Sequence, residues 1–194
     1  TALDHHAEML GNSKAALIPT YSLWYPSFPF AKNPWENPAA NAISPDSIHL
    51  PVDKKTGKWS ALKNTEQWDT LVWSKMLVKN LLQIEKKYVQ KGAKYLTGSG
   101  TDAFGSMPGI SLHSELEMLH RAGLTNRQAL AAATTNFCKV WGWDHIGQIK
   151  PGSEADLLIL SRNPVENLSH LKEIDLLLLD GKILKPDSLV SEVE

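Results

Sequence analysis

The chain has one cysteine, Cys138, among 194 residues, so no disulfide can form within it. That usage fits a reducing compartment without requiring one. It has no excess of either charge: 20 Lys and Arg stand against 21 Asp and Glu. No basic run is present either, so neither nucleic acid nor an acidic membrane surface is an expected partner. The longest apolar runs are strand-sized, as in residues 176–179, far short of the roughly 18–20 residues of a membrane span. No charged-then-apolar leader follows Thr1. A signal peptide is therefore expected to be absent or already removed, and the compartment, cytoplasmic or exported, stays open. There is no His-x-His, Cys-x-x-Cys or His-Glu-x-x-His, which excludes a self-sufficient zinc signature. A Gly-x-Ser-x-Gly elbow is missing too. What is left is an ordinary globular composition, 42% apolar and 21% charged, of a size for one domain or one with an appendage.

The order of patterns is more telling. A short stretch ending in His5-His6 reads as the end of a first strand. Residues 15–22, Ala-Ala-Leu-Ile-Pro-Thr-Tyr-Ser, read as a second strand buried on both faces. From about 24 to 60, six prolines (26, 29, 34, 38, 45 and 51) interrupt any helix or central strand. The aromatics Trp24, Tyr25, Phe28, Phe30 and Trp35 argue against disorder there and for an ordered excursion. The apolar spacing of Trp68, Leu71, Val72, Val78, Leu81, Leu82 and Val89 predicts a helix closed by Gly92. A short strand at 93–97 follows, then a helix from about Leu112 to Ala122. Another is predicted from Thr125, capped with Gln128, to about Cys138. Strands are predicted at 146–149, 155–160 and 174–179, with Asp180-Gly181 turning the last into a hairpin with Lys182. Strand–helix alternation implies parallel pairing, and the terminal strands imply a separate small sheet.

Asp102 is the leading chemical candidate. It follows a buried strand and the Gly98-Ser-Gly100-Thr turn, at the carboxyl edge of a parallel sheet where α/β sites are built. A carboxylate there can hold a metal or take a proton from water; equally, it can cap the next element. Of His5 and His6, adjacent on a strand, only one can face a cleft, and a hydrogen-bonded structural histidine is the simpler alternative. His113 and Glu115 fall in the first turns of a helix, suited to an anionic group or to the helix dipole alone. Cys138 lies on an alanine-rich face as a small core residue.

The ordered series Gly100-Thr-Asp-Ala, Ser111-Leu-His-Ser-Glu-Leu-Glu-Met-Leu-His-Arg-Ala-Gly-Leu-Thr, Ala129-Leu-Ala-Ala-Ala-Thr-Thr-Asn, residues 146–160 and Asp180-Gly-Lys resembles the amidohydrolase superfamily. The imidazolonepropionase-like and prolidase-like branches are the most similar. Before Gly98 the resemblance rests on Leu3-Asp-His5 as the strand-six histidine and Ile18-Pro-Thr20 as strand seven.

That resemblance implies an α/β fold: strands six to eight of a (β/α)8 barrel over residues 1–145, carrying the excursion at 24–60, and part of a small β-sandwich over 146–194. It implies a metal-dependent hydrolase of amide or related C–N bonds, with Asp102 as metal ligand and general base and His5 as a second ligand or substrate contact. His6, His113, Tyr21 and Trp24 are expected against the substrate. The cofactor expected is a divalent metal, zinc first, as one or two ions held mostly by residues outside this chain. The superfamily's His-x-His, strand-four and strand-five ligands have no counterpart, so the expected partner is the missing amino-terminal part of the barrel, besides a small-molecule or peptide substrate. The alternative is a non-catalytic assembly domain on that fold.

Overall fold

The computed structural model describes residues 1–23, 25, 30, 32, 72–100 and 107–185. Asp102, Trp24 and most of the 24–60 excursion lie outside the described residues. The chain starts in a helix, α1, Ala2–Asn12. This corrects the strand expected to end at His5-His6. Thr1 and Asp4 explain the difference: each side chain bonds the other residue's backbone N–H, a reciprocal cap that starts a helix at once. The polar residues Asp4 and Glu8 then recur one turn apart on one face, and Ala7 is fully buried.

That face packs on α2, Val72–Gln90. Lys87 Nζ sits 2.6 Å from Asp4 Oδ1, Lys91 Nζ sits 2.7 Å from Glu8 Oε1, and His6 Nδ1 lies 2.8 Å from the Tyr88 hydroxyl. Bonding to Lys87 and Thr1 holds the Asp4 carboxyl well below its ordinary range. These contacts are exposed, so they fix the register of the two helices more than they stabilise them.

Between the helices lies strand β1, Ala16–Leu17, and after α2 comes β2, Lys94–Tyr95. They pair in parallel, Ala16 with Lys94 and Leu17 with Tyr95, and the Leu96 N–H continues the ladder to the Leu17 carbonyl at 2.9 Å. The described parallel strands are therefore two rather than the three expected. β1 is half-buried rather than buried on both faces. Pro19 cannot donate to a ladder, and it stands two residues past the strand.

Helix α3, Ile110–Arg121, carries the core, with Leu116, Met118 and Leu119 buried against Tyr21, Tyr25, Tyr95 and Leu124. The predicted helix from Thr125 to Cys138 is two helices, α4, Asn126–Ala132, and α5, Thr135–Trp141. The Thr125–Gln128 cap forms as expected. The break follows from β2: the Thr97 amide donates to the Ala132 carbonyl at 3.0 Å, and Thr134 leaves helical geometry at φ −137°.

The terminal sheet is antiparallel in the order β3 (Leu157–Leu160), β4 (Ile174–Leu179), β5 (Lys182–Leu184). Asp180 and Gly181 both take positive φ, 51° and 72°, the two-residue hairpin geometry that their sequence announces. No strand forms at 146–149. There the chain lies against α5 instead, with the Cys138 thiol donating to the Ile146 carbonyl.

The α1–α2 seam yields a stability test. A Cβ on Gly11 would lie 1.8 Å from the Lys91 carbonyl oxygen, which is backbone and cannot swing aside. Gly11→Ala is expected to destabilise the chain by about 1–3 kcal/mol, read as a lower urea midpoint at unchanged slope.

Candidate functional site

The two parallel strands end side by side, and the segments leaving them are tied together by one residue. After β1, Thr20 adopts φ 50°, a left-handed conformation that a β-branched residue rarely takes. Residues 21–23 then turn in a 3-10 helix. The Ser22 N–H donates to Glu115 Oε2 on α3 at 3.0 Å, and the Ser22 hydroxyl donates to the Ser99 carbonyl beyond β2. Ser99 stands three residues ahead of Asp102.

Glu115 is fully buried. Of the surrounding groups only the Ser22 amide meets it in good geometry, and its Oε1 has no such partner among the described residues. Burial pushes the carboxyl up to about 7, against the pull of the Ser22, Tyr21 and Thr20 amides and with the Glu85 charge adding to the rise. Glu85, on α2, is buried too and accepts from the Tyr95 hydroxyl. Tyr21 is fully buried, and burial together with the charges of Glu85 and Tyr95 drives its phenol far above the ordinary value. Two carboxyls and two tyrosines thus lie inside the core beneath the strand ends.

Next to them Tyr25 donates to Glu117 Oε2 at 2.9 Å. Glu117 also accepts from Arg121, whose guanidinium covers the Phe30 ring at 3.5 Å. Tyr25 and Phe30 are in this way fastened to α3.

The expected site residues are placed as follows. His5 is exposed on α1 rather than at the end of a strand. His6 is exposed on the same helix and bonded to Tyr88. The Tyr21 ring belongs to the core, with no face open to a substrate. His113 is half-buried on α3, and burial, with Lys172 nearby, lowers its pKa. Among the described residues no three of His, Cys, Asp and Glu converge as a metal-holding group; those residues alone do not fit a metal centre.

Sequence reasoning missed Ser22 and Glu85. Ser22 carries no signal, because its role rests on contacts 77 and 93 residues away. Glu85 had one: it interrupts the apolar stripe of Leu81, Leu82 and Val89.

The amidohydrolase family model matches residues 36–184, well over half the chain. The chain belongs to the amidohydrolase family. A 5-methylthioadenosine/S-adenosylhomocysteine deaminase of Dictyoglomus thermophilum is 32% identical over 120 residues, 51% of this chain and 28% of that protein. A deaminase of the same description from Dictyoglomus turgidum matches at the same identity and coverage. The chain thus spans under a third of the length of these curated relatives. Among solved structures, a bottromycin amidohydrolase superposes with a TM-score of 0.64 at 24% identity, covering 91% of this chain and 40% of that one. A Bifidobacterium longum protein provisionally assigned as a prolidase gives 0.61 at 24%, covering 92% and 39%. This amidohydrolase chain shares its mixed α/β fold with part of those proteins.

The buried carboxyl sets a pH dependence. Glu115 binds its proton more tightly folded than unfolded, where 4.5 is ordinary. Its stabilising contribution is complete below pH 4.5 and is lost as pH rises through about 7, a change on the order of 3 kcal/mol. Thermal unfolding of wild type is expected to show this decline across that window. Glu115→Gln, which cannot titrate, is expected to flatten it.

Proposed function

We propose that this chain contributes the proton-accepting carboxylate of a hydrolase that cleaves an amide or related C–N bond. Asp102 is that carboxylate. In the reaction Asp102 takes a proton from the attacking water as the water oxygen bonds to the carbonyl carbon. It then returns the proton to the nitrogen as the C–N bond breaks. Asp102 is also a ligand this chain lends to a divalent metal, zinc first, with His5 as a second ligand or substrate contact and the remaining ligands outside the described residues. His113 and Trp24 contact the substrate.

The observation that carries this reading is the membership of residues 36–184, Asp102 among them, in the amidohydrolase family. Its position supports it: seven residues beyond β2, just past the Ser22–Ser99 tie, where parallel α/β folds assemble their chemistry. We further propose that residues 1–145 form the closing part of a barrel and 146–194 part of a sandwich, both completed by preceding sequence. The exposed Leu158, Ile159, Leu179 and Ile183 on β3–β5 suit a sheet that expects further cover.

The test is kinetic. On amide, cyclic-amide and aminopurine substrates, Asp102→Ala and Asp102→Asn are expected to lower kcat by about 10²–10⁴-fold. Unchanged kcat in either variant rejects Asp102 as the base, whereas no turnover of any of these substrates by wild type favours the non-catalytic assembly domain.

A further inference from the structure

We propose that Glu115 is a positioning residue for the reaction centre, acting through Ser22. Its buried carboxyl fixes the Ser22 amide, and the Ser22 hydroxyl passes that constraint to the Ser99 carbonyl, three residues ahead of Asp102. The proposal rests on the reading of Asp102 given above and extends it to a residue that touches neither substrate nor metal.

Three observations carry it. Glu115 occupies the apolar stripe of α3, between Leu112 and Leu119 and beside Leu116. An apolar side chain there would pack at no desolvation cost, whereas a buried carboxyl is unfavourable unless it is bonded. What it bonds is the amide of the loop leaving β1, on a segment where Thr20 is already held at φ 50°. Strained backbone of this kind persists only where its surroundings over-determine it. The third is the geometry of Ser22, which uses its backbone on one neighbour and its side chain on another, so the exits of β1 and β2 cannot shift independently. A rigid, bonded support of this type is what keeps a catalytic carboxylate in its productive place. Misplacement on the scale of 1 Å costs roughly 10²-fold in rate.

Amide hydrogen exchange on the unliganded chain reads the tether directly, and kcat and KM of the active enzyme read its consequence. Glu115→Ala is expected to speed exchange of the Ser22 amide at least about tenfold and to loosen the 97–103 segment. It is expected to lower kcat by about 10–100-fold, with KM within about twofold. Glu115→Gln keeps an acceptor oxygen and is expected to stay within about threefold of wild type in both readouts. Ser22→Ala is expected to leave the residue-22 amide protected while loosening 97–103 and lowering kcat. Should Glu115→Ala fail to fold, Glu115→Gln and Ser22→Ala decide alone. Wild-type exchange around 97–103 in Ser22→Ala overturns the proposal, as does a kcat in Glu115→Gln as low as in Glu115→Ala. The two failures are distinguishable. Exchange needs no active site, so an unaffected tether with an inactive Asp102→Ala rejects the positioning role alone. An active Asp102→Ala beside the expected exchange rejects Asp102 as the base, and with it the positioning role, while the Glu115–Ser22–Ser99 tether stands.

Discussion

Ser22 is the joint on which this structure turns. A parallel strand pair of two residues each has little ladder of its own, only the Ala16–Lys94 and Leu17–Tyr95 pairs and the Leu96 amide beyond them. The strands are separated by more than seventy residues of sequence, so their meeting carries a substantial loop-closure cost. Local propensity cannot supply what holds their exits together. A buried acceptor on α3 and a backbone carbonyl past β2 do so, both bound by the same serine. Around that joint the core is built from Tyr21, Tyr95, Leu116, Met118 and Leu119, with the Tyr95 hydroxyl met by Glu85.

The burial of two carboxyls in a core this small shows where packing yields to another requirement. Apolar replacements at 85 and 115 would continue the stripes of their helices. The retained carboxyls instead hold a phenol and an amide. Glu85 gives Tyr95 an acceptor at the end of β2, and Glu115 gives the β1 exit a fixed point. Both act on the strand ends rather than on the far side of the sheet, the side on which α/β folds leave their chemistry out.

What the sequence made legible was periodic or local. The helix α2, the Thr125–Gln128 cap and the Asp180-Gly181 hairpin are set by near neighbours, and each formed. The misreadings share a cause, since in each a tertiary contact or a reciprocal cap overrode a short apolar run. Thr1 and Asp4 made a helix of the stretch before His5; Thr97 split the alanine-rich helix by taking the Ala132 carbonyl; Cys138 drew Ile146 onto α5. In the candidate site Asp102 is proposed from its place in the sequence, after a strand and a Gly-rich turn. Ser22 was not legible, because a serine among prolines and aromatics looks like any loop residue until its two distant partners are known.

The claim that Asp102 belongs to a metal-assisted hydrolytic centre is tested most directly by counting metal. Elemental analysis of the purified protein is predicted to give at least one equivalent of zinc or another divalent ion, and a clear loss of it in Asp102→Ala. A metal-free wild type, or the same metal content in both, contradicts the account.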